Sequence, residues 1–302
     1  MSKLLGSIFV AASAVGFGSM ALCANIAYGD GMNTYSVLAL RFLIGAAVLG
    51  LFALFRGFIL PGRTALLVCM VMGISYATMA WSYFTALHYI ASSTVALILY
   101  CYPLIVLAIA VSLNIDRIGT VGLVATIVVI TGLGLLLWGD VELDWRGVSL
   151  AFAAAALYAL YILIGTRLKN ETDPYISSFI ITLIAGLASG VGALVHGVTL
   201  PATHMGWEAI LCLATIGTAI AIAAFIKGLT VIGPTLAAVL STLEPVVTVL
   251  LAVSFLHETL SGRGLVGALL VLSAAGALCI RSGNDASPRD LCERQNPNSI
   301  HG

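Results

Sequence analysis

Ala96-Leu-Ile-Leu-Tyr-Cys-Tyr-Pro103-Leu-Ile-Val-Leu-Ala-Ile-Ala-Val-Ser112 and Ala238-Val-Leu-Ser-Thr-Leu-Glu-Pro245-Val-Val-Thr-Val-Leu-Leu-Ala-Val-Ser254 are two versions of one segment, 142 residues apart. At the same offset Leu87 and Ile90 meet Leu229 and Ile232, and Gly122-Leu-Val124 meets Gly264-Leu-Val266. Residues 83–137 hold 13 identities in 55 gapless pairs. Apolar composition inflates such a score. It does not account for the matched prolines and glycines, or for Asp116 standing opposite Glu258. The chain therefore reads as a duplicated unit.

The unit belongs in lipid. Of 302 residues, 61% are hydrophobic and 9% are charged, and thirteen Lys and Arg balance thirteen Asp and Glu. A soluble domain carries roughly 25% charge, so this chain cannot cover a water-facing surface. Disorder requires low hydrophobicity, and a nucleic-acid binder requires a basic patch; both are excluded. The runs are continuously apolar, whereas a membrane barrel alternates apolar and polar residues. The fold class is thus an all-α membrane protein.

About 20 apolar residues make one crossing. Ten segments qualify: 4–27, 35–55, 65–87, 91–112, 118–138, 147–166, 176–197, 207–227, 234–256 and 263–281 (spans 1 to 10). Polar turn formers mark the breaks, as in Tyr28-Gly-Asp-Gly31, Asp140-Val-Glu-Leu-Asp144 and Lys169-Asn-Glu-Thr-Asp-Pro174; the break near Ser92 has only His88-Tyr89. Spans 1–5 (residues 4–138) form one repeat and spans 6–10 (147–281) the other. Five is odd, so the second repeat enters from the opposite side. That is the inverted-repeat plan of many secondary transporters, with a site near the midplane between the halves. Residues 282–302 read as a disordered cytoplasmic tail.

With residue 1 inside, Lys3, Arg56, Arg63, Arg117, Arg167, Lys169, Lys227, Arg281, Arg289 and Arg294 fall on the cytoplasmic side. Only Arg146 and Arg263 fall outside. The bias fits the positive-inside rule and puts both termini in the cytoplasm of a bacterial-type inner membrane. Lys3 before an apolar run also fits a signal peptide, but the run exceeds a usual h-region and cleavage would break the parity.

Charges within spans are costly. Glu244 lies deep in span 9, directly before Pro245, and its repeat partner is Tyr102, directly before Pro103. Its carboxylate suits an amine substrate or a coupling proton; a packing role, bonded to a neighbouring helix, is the alternative. Arg41, about 9 Å into span 2 at ~1.5 Å per residue, either snorkels, pairs structurally or meets substrate. Tyr76 and Tyr83, Tyr100 and Tyr102, and Tyr158 and Tyr161 each offer an apolar body with a hydroxyl. They line a cavity, or anchor and pack. Asp116 and Glu258 fit loop caps.

Several chemistries are missing. No P-loop exists among three lysines, so ATP is not a partner. No His-Glu-x-x-His or Gly-x-Ser-x-Gly occurs. His88, His196, His204, His257 and His301 lack metal spacing. Cys23, Cys69, Cys101, Cys212, Cys279 and Cys292 contain no Cys-x-x-Cys and read as packing residues. No enzyme activity, metal, cofactor or nucleic acid is expected.

Leu243-Glu-Pro-Val-Val247, His257-Glu-Thr-Leu-Ser261, Gly267 and Gly276 resemble the second EamA domain of the drug/metabolite transporter superfamily. Tyr158-Ala-Leu-Tyr161 with Arg167 resembles the start of that domain, and Phe17-Gly-Ser19 with Arg41-Phe42 resembles the first. The resemblance covers residues 4–281. Phe17 and Tyr158 stand where the family often has tryptophan, and Tyr102-Pro103 replaces a second Glu-Pro. The resemblance implies ten helices around a cavity bounded by spans 1, 3, 4, 6, 8 and 9, and export of metabolites such as amino acids. Combined with the residues above, it gives Phe17, Tyr76, Met79, Tyr83, Tyr102, Tyr158, Tyr161, Thr218, Ser241 and Glu244 as substrate-binding candidates. The expected function is a secondary transporter of small metabolites using alternating access. An uncoupled facilitator or exchanger is the alternative, and a membrane scaffold or lipid-acting enzyme the remote one.

Overall fold

A computed structural model of the chain describes residues 2–55, 57–86, 89–90, 95, 98–113, 120–136, 144–168, 172–255 and 262–284. Arg56, Leu87, His88, Ser92, Asp116, Arg117, Asp140, Lys169, His257, Glu258, Arg289, Cys292, Arg294 and His301 lie outside them. All regular structure among the described residues is helical.

Span 1 is Lys3–Gly18 (α1) followed by Met20–Gly29 (α2). Thr34–Phe55 (α3) and Arg63–Ala86 (α4) are spans 2 and 3. Tyr102–Ser112 (α5) and Thr120–Leu136 (α6) lie in segments 4 and 5. Trp145–Gly165 (α7), extended by a 3-10 turn to Leu168, is span 6, and Pro174–His196 (α8) is span 7. Span 8 runs as His204–Ala214 (α9), a π turn Thr215–Ile220 and Ala221–Ile232 (α10). Pro234–Ser241 (α11) and Leu243–Phe255 (α12) occupy segment 9, and Gly262–Asn284 (α13) segment 10. Among the described residues, six helical runs are long and apolar enough to cross a bilayer: spans 1, 2, 3, 6, 7 and 8. Segments 5, 9 and 10 hold shorter apolar stretches. α13 continues to Asn284, past the expected start of the tail.

The loop chemistry sets the helix ends. Asp144 and Asp173 accept from Arg146 N and Tyr175 N at 2.8 Å, and Pro174 opens α8. Gly197 and Gly233 hold φ +92 and +83, where a side chain is strained, and so end α8 and α10.

The surface is inverted relative to a soluble protein. Phe55 is 83% exposed and Leu194 77%, while Ser178, Thr182 and Ser189 are buried between helices. Several buried hydroxyls are bonded back to their own helix, as Ser13 donates to Val10 O at 2.7 Å and Ser178 to Pro174 O at 2.6 Å, whereas those of Thr182, Ser189 and Thr235 have no hydrogen-bond partner.

Helix partners follow the duplication. α3 packs on α8 and α6 on α13, each against its counterpart from the other half. The α4–α7 contact has its mate in α10–α1, α4–α8 in α9–α3, and α5–α7 in α12–α1. Exchanging the halves maps this set of contacts onto itself. Glycines bring the backbones together. A Cβ on Gly228 would lie 2.5 Å from Val10 Cγ2 and 2.7 Å from Gly6 O.

The two proline segments break at equivalent residues. α11 stops before Thr242 and α12 begins after it; in segment 4, α5 begins after the turn at Tyr100-Cys101. Thr242 and Tyr100 are 142 residues apart. The prolines therefore start new helices rather than kink continuous ones, because Pro fits a first turn where its missing N–H costs nothing.

Gly228→Ala should destabilise the protein by about 1–3 kcal/mol through overpacking, read as a lower unfolding temperature in detergent. Gly190→Ala, whose added Cβ would meet nothing within 4 Å, should leave that temperature unchanged or raise it slightly.

Candidate functional site

Glu244 is ten residues from Pro234 at the start of α11, about 15 Å at ~1.5 Å per residue and so half the depth of a ~30 Å core. Its carboxylate is hydrogen-bonded by Tyr100 and lies in the field of Arg41. Tyr76, Tyr83, Tyr102 and Tyr158 interact with it electrostatically. Span 1 comes close because Gly18 has no side chain: a Cβ there would lie 2.7 Å from Glu244 O.

An aromatic chain runs through these residues. Ring centroids are 5.5 Å apart for Phe42–Tyr76, 5.2 Å for Tyr76–Tyr161 and 6.1 Å for Tyr161–Tyr158. The chain continues through Tyr158–Tyr102 at 4.5 Å and Tyr102–Tyr100 at 6.4 Å, and Phe225 joins Tyr161 at 6.0 Å. Spans 2, 3, 6 and 8 and segment 4 thus meet in one aromatic wall. Such pairs add stabilisation beyond their burial.

Tyr102 also closes the break in segment 9. Thr242 N donates to Val239 O, not to Ala238 O, and the Tyr102 hydroxyl donates to Ala238 O at 3.1 Å. The residue equivalent to Glu244 therefore bonds the backbone loosened beside Glu244.

Of the sequence candidates, Tyr76, Tyr83, Tyr102 and Tyr158 gather at Glu244, and Tyr161 joins through the rings. Phe17 and Met79 lie in the same buried core cluster. Ser241 is buried and bonded to Ala237 O at 2.9 Å, beside Tyr102. Thr218 is not brought to the group. Its hydroxyl donates to Leu213 O at 2.8 Å within the π turn, and its methyl lies against Gly45 of α3. Tyr100 was missing from the candidates because anchoring or packing was the role its sequence position favoured. The turn at Tyr100-Cys101 lets both tyrosines reach the interior. Arg41 does not snorkel: it is 4% exposed, and its Nη2 donates to Tyr76 Oη at 3.1 Å.

The end that carries residues 30–36 and 197–203 is tied across the two halves. Asp30 Oδ2 accepts from Ala202 N at 2.7 Å and Thr203 N at 3.0 Å. Asn33 N donates to Thr199 Oγ1 and its Nδ2 to Gly197 O, both at 2.7 Å, and Thr199 N donates to Ser36 Oγ at 2.9 Å. The Thr203 amide, foremost, holds the Asp30 carboxyl below the usual carboxylate range. The counterpart loops at the other end enclose a cavity of about 470 Å³, lined by residues including Gly57, Leu60, Pro61, Thr172, Asp173 and Tyr175.

Among the described residues no three His, Cys, Asp or Glu side chains converge as metal ligands. Cys23, Cys69 and Cys212 are free thiols.

Tyr102→Phe should cost about 1–3 kcal/mol, because it strands the Ala238 carbonyl in a dry interior; thermal unfolding reads it. Asp30→Ala should speed hydrogen exchange at the Ala202 and Thr203 amides. A carboxyl lowered in the folded state contributes its stabilisation above its unfolded pKa and loses it as pH falls through the folded value. The tie should therefore persist through mildly acidic pH and fail only below the usual carboxylate range.

A family model for EamA-like transporters matches residues 4–138 and again 145–280. An uncharacterized transporter of Bacillus subtilis (strain 168), YwfM, is 31% identical over 160 residues, covering 50% of this chain and 54% of the relative. The chain thus spans about half the length of the curated relative it matches. A crystal structure of another protein superposes with a TM-score of 0.79 over 93% of this chain and 99% of that one, at 20% identity, which is a likeness of fold. The apolar helices and the twofold match make this an integral, multi-pass membrane protein, and the chain belongs to the EamA-like transporter family of the drug/metabolite transporter superfamily.

Proposed function

We propose that this chain is a secondary transporter that exports small metabolites such as amino acids by alternating access. One observation carries the reading: a carboxylate, Glu244, lies in the middle of apolar segment 9, ringed by tyrosines from both halves. A buried charge is costly in lipid and marks a substrate or ion path. The aromatic bodies suit an apolar side chain, and the hydroxyls and carboxylate suit a polar head. Phe17, Tyr76, Met79, Tyr83, Tyr102, Tyr158, Tyr161, Ser241 and Glu244 form the binding region, and Glu244 meets the amine or carries a coupling proton. Thr218 supports the π turn from outside this group.

Ten spans in two inverted repeats, 4–138 and 147–281, accompany this reading. The helix contacts that survive exchange of the halves support it. The ten cations against two support cytoplasmic termini. The loops at one end are tied while their counterparts at the other border a pocket, an asymmetry that supports an inward-facing arrangement.

A second reading, an uncoupled facilitator or exchanger, is favoured by Tyr102 standing where a symmetric coupling site would have a second carboxylate. Flux in proteoliposomes under an imposed pH gradient separates the two. Coupled export predicts a response to the gradient that disappears in Glu244→Gln, with flux reduced about tenfold or more, the loss of roughly 1.4 kcal/mol. Gradient-independent flux, unaltered by that substitution, would establish the uncoupled reading and remove Glu244 from the mechanism.

A further inference from the structure

A second charge shares the surroundings of Glu244, and its free edge has no use in the reading above. Arg41 begins only seven residues from the outer end of α3, so its long side chain had water within reach. It turns inward instead, is 4% exposed, and donates from Nη2 to Tyr76 Oη at 3.1 Å. The guanidinium lies 4.5 Å from the centre of the Phe42 ring. Its Nε is buried with no hydrogen-bond partner. Arginine stays protonated in proteins, so this edge remains a cationic donor. Leaving such a donor unpaired in a dry interior is costly. The orphaned Nε therefore sits where the aromatic wall holds Phe42 and Tyr76, in the field of Glu244.

We infer that the Nε edge of Arg41 receives the carboxylate of a zwitterionic substrate whose ammonium group lies toward Glu244. The inference rests on the transport reading and adds to it the residue that selects the carboxylate and so separates an amino acid from a simple amine. The guanidinium fork matches a carboxylate in geometry, where lysine would supply only a point charge. The balance of charge selects further. One fixed cation and one fixed anion accept a ligand with both charges at no net cost in charge. A simple amine leaves Arg41 uncompensated, and a simple carboxylate brings a second anion toward Glu244. Tyr76 acts as a positioning residue: its hydroxyl fixes one end of the guanidinium and Phe42 supports its face, which leaves Nε presented.

The test uses the full chain in proteoliposomes and the twenty common amino acids, each radiolabelled. For an amino acid that is carried, the competitors are its methyl ester, which keeps the ammonium and loses the carboxylate charge, and its deaminated acid. We expect both to compete about tenfold or more weakly than the unlabelled parent, the span of a charge-assisted hydrogen bond. Arg41→Gln should abolish most of the parent's flux and bring the ester level with the parent as a ligand. Tyr76→Phe should raise KM for the parent and leave the maximal rate unchanged. An ester that competes as well as its parent on the unmodified protein overturns the inference, and that comparison needs no variant to fold. Parent flux retained in Arg41→Gln overturns it too. If none of the twenty is carried while another metabolite is, this inference falls and the transport reading stands; if nothing crosses, both fall.

Discussion

No water is present inside a bilayer to complete a hydrogen bond, so every polar group buried between these helices needs its partner within the protein. Most of the architecture follows from that constraint. Ser13 and Ser178 bond back to their own helices. Thr218 reaches five residues back and takes a carbonyl in the π turn. Tyr102 crosses from segment 4 to the Ala238 carbonyl beside the break in segment 9. Against this background the few groups that stay unsatisfied, such as Arg41 Nε, carry information that a polar group on a soluble surface would not.

Close approach is the second requirement, because lipid offers no hydrophobic drive to press helices together. Small residues provide it at the points where the halves cross. Gly6 and Gly228 join spans 1 and 8, Gly132 meets Gly267 O between α6 and α13, and Gly18 meets the backbone of Glu244. The last contact links packing to the site: the same missing side chain that lets α1 cross α12 brings span 1 against Glu244.

Much of this was legible in the sequence. Asp144, Asp173 and Pro174 stand at predicted breaks and cap the helices there, and Glu244 was marked by its setting before Pro245. The tyrosines of spans 3 and 6 gather as their spacing suggested. What escaped depends on local geometry or distant partners. Pro103 and Pro245 read as kinks, and only the fold reveals full breaks at Tyr100 and Thr242, which turn Tyr100 inward. Thr218 looked like cavity lining because a mid-span hydroxyl has two destinations, substrate or carbonyl, and sequence does not choose between them. Asp30 read as a turn former, since its partners lie 172 and 173 residues away.

The tie between Asp30 and the 202–203 amides has a consequence for how the halves share energy. Two identical inverted copies would make the inward- and outward-facing arrangements mirror exchanges of each other, equal in free energy. Nothing intrinsic would then favour one side, and direction would come from gradients alone. Here the loops at 30–36 and 197–203 carry a hydrogen-bonded tie, while their counterparts at the opposite end, 57–62 and 172–176, border a cavity. The degeneracy is therefore lifted by a handful of loop residues, far from any residue that would touch a substrate. Drift of the duplicated loops can set the resting orientation of such a protein while its binding region stays untouched.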